Sequence, residues 1–260
     1  MLTSLQNPLI KQMRKLHQGK YRRAQQQFLL EGTHLLLEAV ETGYPLEVIC
    51  FTPQWQAKQA PDWLAQLEQL TRLEVVSEQV LAAIATTVNP DGVVALAPFQ
   101  PRPPLEIHHL GLAVETLQDP GNLGTMIRTA AAAGAEGVLL SSDSVELENP
   151  KVLRATAGQW FRLPLSVAED FQAELQHYRQ QGIQVVATLP QAQSNYWDVD
   201  LTCPTLFLLG NEGAGLSASV VALADRQVKI PLQPGVESLN VAIAAALLLY
   251  EAQRQRQSRA

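Results

Sequence analysis

The sequence predicts an α/β protein in two parts: a larger one built on a mainly parallel sheet covered by helices on both faces, and a smaller α/β sandwich. Three observations carry this. Short apolar runs alternate with helical patterns along most of the chain, many of those runs are continuously apolar, and a proline-dense stretch divides the 260 residues at about 100. Strands buried on both faces read as unbroken apolar runs, the mark of a parallel sheet between two helical layers. The dividing stretch, PFQPRPPLE at 98–106, fixes φ and removes backbone donors at four prolines, so it reads as a semi-rigid linker between residues 1–97 and 107–260.

In the first part, QFLLEG (27–32), LEVICF (46–51), LEVV (73–76) and GVVALA (92–97) read as strands, and THLLLEAVET (33–42) and PDWLAQLEQL (61–70) as amphipathic helices. Thr33 is expected to cap the first of these helices, with Leu36, Leu37 and Val40 on its apolar face. The second part alternates more regularly. Strands are expected at 110–115, 137–140, 183–189, 205–210 and 227–232, with helices near 122–134, 149–157, 170–181, from Ser217 and at 239–253. Ligands of such sheets sit beyond the carboxyl ends of the strands.

Formal net charge is −6, which alone argues against a nucleic-acid partner. Its distribution reverses that. Lys11, Arg14, Lys15, Lys20, Arg22 and Arg23 lie in the first thirty residues without an acid, and Arg254, Arg256 and Arg259 end the chain, so the middle carries −15. With His17, Tyr21, Gln6, Asn7 and Gln12 interleaved, the basic N-terminus suits sugar-phosphate contacts, and Lys11, Arg14, Lys15, Arg22 and Arg23 are the RNA-binding candidates there. Cys50 and Cys203 have no metal-ligand or disulfide spacing, and no metal site is expected. The most apolar stretch, 239–250, is too short for a bilayer and no signal pattern precedes Leu2, so a cytoplasmic protein is expected.

Three segments with polar tips fall at strand ends. LQDPGNLGTMIRTAAAAGAEGV (117–138) turns out of a strand at Asp119-Pro120-Gly121, where Asn122 can cap a helix that carries Arg128 less than two turns further on. LFLLGNEGAGLS (206–217) spaces Gly210, Gly213 and Gly215 as G-x-x-G-x-G, neither a dinucleotide fingerprint nor a phosphate loop, and Glu212 at its tip would repel a phosphate. KIPLQPGVESLNVAIAAALLLYE (229–251) passes through Pro231, Pro234 and Gly235 into a helix for which Ser238 is the N-cap candidate.

In order and separation these segments resemble the three motifs of the SpoU (TrmH) branch of the SPOUT RNA 2′-O-ribose methyltransferases, over most of 111–251. NPKVLRATAGQWFRLPL resembles the segment between the first two motifs, and SLQNPLIKQMRKL with FLLEGTHLLLEAV looks like a ribosomal-protein-like (L30e-like) substrate-binding domain. The resemblance implies a deep trefoil knot formed by the second and third motifs, with S-adenosylmethionine bound in it mostly through backbone groups. By position the cofactor contacts fall on Thr188, Leu209, Gly210, Ile230 and Leu239, with Glu212 and Ser238 nearby. Glycines there let backbone approach a cofactor that carries no phosphate.

The resemblance also implies a homodimer with the last helix at its interface, an active site drawing on both subunits, and a catalytic set of Asn122, Arg128, Glu212, Ser238 and Asn240. Arg128 is there the group that activates the ribose hydroxyl. Because a guanidinium stays protonated, bidentate positioning of a phosphate is the alternative role. Asn122 either holds the site or only caps its helix, and Arg154 either contacts RNA or pairs with a neighbouring acid. Trp160 and Phe161 are expected in the core or a subunit interface. The separate N-terminal domain favours ribosomal (23S) RNA as substrate. Transfer RNA is the alternative, and a non-catalytic RNA-binding protein retaining the knot is a further one, against which the complete catalytic set counts.

Overall fold

The computed structural model describes residues 1–258; Arg259, counted above with the basic C-terminus, lies outside the described residues. The chain forms two units. Residues 1–101 and 146–161 make the first, and residues 102–145 with the chain from 162 onward make the second.

The first unit opens with two helices that the strand-and-helix pattern above omits, α1 (Pro8–Lys15) and α2 (Gly19–Gln25). Local chemistry explains α1: the Asn7 side chain accepts from the Leu9 amide, Pro8 occupies the first turn where its missing N–H costs nothing, and Ile10 and Met13 face inward. There follow β1 (Gln27–Glu31), α3 (Thr33–Glu41), β2 (Val48–Phe51), α4 (Pro53–Gln56), α5 (Pro61–Leu70), β3 (Arg72–Val75), α6 (Glu78–Ile84) and β4 (Val93–Pro98). The sheet runs β1-β4-β2-β3, with β4 antiparallel to both neighbours and β3 parallel to β2. Thr33 does not cap α3. Gly32, at φ 98°, holds the cap position, while the Thr33 amide and hydroxyl both donate to Asp91 and that hydroxyl accepts from Trp55 Nε1. The helix accordingly buries Leu35, Leu36 and Ala39 and leaves Leu37 exposed.

Residues 146–161 complete this unit. Trp160 is 4% exposed and packs on Phe28 and Tyr44, at 5.3 and 5.5 Å between ring centroids. Glu31, at the end of β1, accepts from the Thr86 amide (2.8 Å) and hydroxyl (2.7 Å), from the amide and hydroxyl of Thr87, and from Arg154 (3.1 Å). Burial opposes the charge of this carboxylate, but the threonine hydrogen bonds and Arg154 outweigh burial and hold its pKa below the usual range. Such a group stabilises the fold above its unfolded pKa of about 4.3, and that contribution disappears as pH falls through the lower folded value. Glu31→Gln is therefore expected to lower stability by about 2 kcal/mol near neutral pH, in denaturant titrations, with the gap to wild type narrowing below about pH 4.

The second unit comprises β5 (Leu110–Val114), α7 (Pro120–Ala132) and β6 (Val138–Ser141), and after α8 (Pro150–Ala155), which belongs to the first unit, β7 (Leu165–Ala168), α9 (Phe171–Gln180), β8 (Gln184–Thr188), β9 (Ser194–Asn195), β10 (Thr205–Leu209), α10 (Ala218–Val221), β11 (Arg226–Lys229) and α11 (Val241–Gln257). Its seven strands run β7-β6-β5-β10-β8-β11-β9 and pair in parallel throughout. The two central strands, LGLAV and TLFLL, are buried at every residue, as continuous apolar runs require. The chain builds outward from β5 to β7 and then fills the other side, so the order reverses between β5 and β10. A crevice opens at such reversals, beyond the carboxyl ends of the strands. Among the described residues no helix is long and apolar enough to cross a membrane.

Candidate active site

A cavity of about 490 Å³ lies at the carboxyl ends of β8, β10 and β11. Its wall includes Thr188 and Leu189 after β8, Leu209 to Gly213 and Gly215 after β10, Ile230 and Leu232 after β11, and Glu237, Ser238, Leu239, Val241 and Ala244 at the start of α11. Thr188, Leu209, Gly210, Ile230 and Leu239, the cofactor contacts that the family resemblance implies, all line this cavity, as do Glu212 and Ser238.

The loop after β10 is held by its own backbone. Asn211 and Gly215 exchange both N–H···O bonds at 3.0 Å, closing a tight turn in which Gly215 takes φ 70°. The Asn211 side-chain carbonyl accepts from the Gly213 (2.8 Å) and Ala214 (3.0 Å) amides, and its NH₂ donates to the Thr116 carbonyl at 2.8 Å. A Cβ on Gly210 would overlap the carbonyl group of Gly215 and the amide nitrogen of Leu216. Glycine is required there for close backbone approach. Asn211 was missed as a site residue. Its signal was the habit of an Asx side chain of bonding the amide two residues on.

Glu212 ties the three motif tips together. Its carboxylate accepts from the amides of Asp119 (3.2 Å) and Gln118 (3.5 Å) and from the Asn122 side chain (3.1 Å). The Asn122 carbonyl oxygen in turn accepts from the Asn240 NH₂ at 2.9 Å. Two capping expectations are corrected. Asp119 caps α7, accepting from the Asn122 amide at 2.8 Å, so Asn122 lies within the first turn with its side chain free for Glu212 and Asn240. Asn240, not Ser238, caps α11, accepting from Ala242 (2.9 Å) and Ile243 (3.3 Å). In both cases the cap is the residue immediately before the first helical turn, which leaves the other polar group to the site.

Arg128 is exposed on α7, is absent from the cavity wall, and among the described residues makes no hydrogen bond or ion pair. In the first unit Lys11, Arg14 and Lys15 are exposed and Arg23 pairs with Glu146. Arg22 is 3% exposed, donating to the Leu16 and His17 carbonyls and to Glu146. Arg154 is committed to Glu31 and Thr86. Both of these guanidiniums brace the fold. Among the described residues no group of three or more His, Cys, Asp or Glu side chains could hold a metal ion.

The model of the SpoU rRNA methylase family matches residues 109–250, and that of the MRM3-like substrate-binding domain matches residues 7–95. The chain belongs to the SpoU rRNA methylase family. One SpoU relative, described as an uncharacterized tRNA/rRNA methyltransferase of Synechocystis, is 49% identical over 98% of this chain and 94% of its own. Another, the 23S rRNA (guanosine(2553)-2′-O)-methyltransferase of Bacillus subtilis, is 33% identical over 96% of this chain and 97% of its own. Among solved structures, an AdoMet-bound rRNA methyltransferase from Sinorhizobium meliloti superposes with a TM-score of 0.85 at 31% identity, covering 97% of both chains.

Thr188, which lines the SpoU cavity, carries an orphaned hydroxyl. Thr188 Oγ1 is inaccessible to solvent and has no hydrogen-bond partner among the described residues. An orphaned buried hydroxyl costs stability, and replacing it with an isosteric methyl relieves that cost. Thr188→Val is expected to leave the ligand-free protein as stable as wild type or slightly more so in thermal melts. Affinity for S-adenosylmethionine, measured by calorimetry, is expected to fall about five-fold, the worth of one neutral hydrogen bond.

Proposed function

We propose that the protein methylates a ribose 2′-hydroxyl of ribosomal RNA, using S-adenosylmethionine held in the β8–β10–β11 cavity. The observation that carries this is a cavity lined by the second and third motif tips, with the first motif tied to its wall through the Asn122–Glu212 and Asn240–Asn122 hydrogen bonds. The wall carries backbone, apolar side chains, a residue with an orphaned hydroxyl and two carboxylates, Glu212 and Glu237. That donor set fits the cofactor. The volume is in the range of small-molecule sites, Leu209, Ile230 and Leu239 offer apolar surface, Thr188 an unused hydroxyl, and the carboxylates complement cationic charge. S-adenosylmethionine supplies a methyl group made electrophilic by its sulfonium.

The chain's own residues supply position. Glu212 fixes the Asn122 amide, Asn122 fixes Asn240, and this relay holds the rim of the cavity in one arrangement for the incoming ribose. Arg128 presents an unpaired, protonated guanidinium that can bind a phosphate of the substrate through two parallel hydrogen bonds and so aim the neighbouring hydroxyl. Ser238, on the cavity wall beside Asn240, is a further hydrogen-bonding group for the ribose. The family's trefoil knot is assigned to the second and third motifs. Residues 1–97 are assigned to RNA binding, 98–106 to the linker and 107–260, apart from the 146–161 segment that packs in the first unit, to methyl transfer, in a cytoplasmic protein.

A homodimer accounts for the outer face of α11. Ile243, Ala246, Leu247 and Tyr250 follow one another at helical spacing, with Ile243 51% and Tyr250 48% exposed, and with Tyr196 they line a shallow apolar depression.

The test is transfer of labelled methyl from S-adenosylmethionine to separated ribosomal and transfer RNA from a strain lacking the gene, followed by digestion to nucleosides. Label in a 2′-O-methylnucleoside from ribosomal RNA supports the reading. Label confined to transfer RNA changes the substrate, and no label in either pool while the protein binds both cofactor and RNA favours the non-catalytic alternative.

A further inference from the structure

Many arginines of the described chain are committed to partners within it. Arg22 and Arg23 pair with Glu146, Arg72 with Glu74, Arg154 with Glu31, Arg179 with Asp225 and Arg254 with Glu251, while Arg256 is spent on the carbonyls of His109, Leu201 and Cys203. One short stretch differs. Lys11, Arg14, Lys15 and Lys20 are all exposed and make no ion pair or side-chain hydrogen bond among the described residues, in a segment whose first acid is Glu31. Because α1 turns Ile10 and Met13 inward, Lys11, Arg14 and Lys15, spaced by three and four, share its outer side.

An aromatic ring sits among these charges. The ammonium groups of Lys15 and Lys20 lie 5.8 and 4.8 Å from the centroid of Tyr21, the third residue of α2. Tyr21 is half-buried and its hydroxyl makes no hydrogen bond among the described residues. Its position is rigid. Arg22 beside it donates to the Leu16 (2.9 Å) and His17 (3.1 Å) carbonyls, so the α1–α2 turn is clamped from inside, and His17 Nε2 lies 2.8 Å from the Ile84 carbonyl.

An aromatic ring held in place and flanked by exposed cations is the arrangement that binds single-stranded nucleic acid, where a base stacks on the ring and the cations take the flanking phosphates. We propose that Tyr21 is the stacking platform for one unpaired base of the substrate RNA, with Lys11, Arg14, Lys15 and Lys20 on the adjoining phosphates. The assignment rests on the RNA-methyltransferase reading and names where in the first unit the strand is gripped. In the free protein the lysines rest against the ring. On binding, a lysine exchanges a weak, exposed cation–π contact for a phosphate and yields ring surface to the base.

The test uses the whole protein and two fluorescein-labelled probes of equal length, an oligouridylate RNA and an abasic strand, with binding read by anisotropy. For wild type, the oligouridylate is expected to bind about ten-fold tighter than the abasic strand. Tyr21→Leu loses that advantage while keeping its affinity for the abasic strand, and Tyr21→Phe retains it. Lys15→Gln combined with Lys20→Gln is expected to reduce the slope of log affinity against log salt by about 0.7 per charge. Equal affinity of wild type for the two probes, no binding of either, or a Tyr21→Phe variant as weak as Tyr21→Leu would each overturn the platform. Methyl transfer by the same preparations is scored separately. Wild type that transfers methyl but binds the two probes equally loses the platform and keeps the activity, whereas a normal binding pattern without any transfer sinks the activity and spares the platform.

Discussion

Arg128→Ala is expected to lower the rate of methyl transfer about a hundred-fold or more, since in its proposed role it aims the substrate through a phosphate, while affinity for S-adenosylmethionine stays at the wild-type value. The separation follows from where the side chain stands: exposed on α7, outside the cavity wall and without a partner among the described residues. Deleting it empties no core and strands no buried group, so the melting temperature should not move. Arg128→Lys keeps the charge but loses the planar fork and should recover only part of the rate. Single-turnover kinetics with calorimetry on the same samples decides the matter. Wild-type turnover in Arg128→Ala would remove this residue from the mechanism, and a matching loss of cofactor affinity would make it a support of the cavity.

Gly210→Ala should have the opposite signature, with cofactor binding falling about a hundred-fold and stability by about 2 kcal/mol, in the range of overpacked sites. The methyl group has nowhere to go. Its neighbours would be the carbonyl of Gly215 and the amide of Leu216, backbone atoms that cannot swing aside as a flexible side chain could. To admit it, the loop must break the paired Asn211–Gly215 hydrogen bonds or withdraw from β10, and either change moves the wall on which Leu209, Gly210 and Glu212 stand. Unchanged calorimetric affinity in this variant would mean the loop opens cheaply.

The candidate site was more legible than the unit that accompanies it. Polar tips at the ends of apolar strands mark a site because strand ends are where backbone leaves the sheet, and Gly210, Glu212, Asn122 and Asn240 could be singled out on that ground. Which polar residue caps each helix could not. Asp119 and Asn122, or Ser238 and Asn240, are equally good caps by composition, and the choice rests on where the helix first closes a turn. Strands β7 and β9 escaped notice because LSVA is only partly buried and β9 has two residues, too few for any period to show. The basic count overstated the cations open to RNA, since Arg22 and Arg154 find their carboxylates more than a hundred residues away in the chain, beyond any local pattern.

That remoteness gives the first unit an unusual birth. Glu31 and Arg154 are 123 residues apart in sequence, and Phe28 must likewise wait for Trp160. At translation speeds of about 5–20 residues per second, the N-terminal sheet leaves the ribosome several seconds before its last helix is synthesised. Meanwhile β5, α7 and β6 of the other unit have already emerged. The nascent N-terminal region therefore spends that interval with Glu31 held by Thr86 and Thr87 but without its guanidinium, and with Phe28 short of the Trp160 ring. A fragment cut at the proline-rich stretch would keep that unfinished state for good.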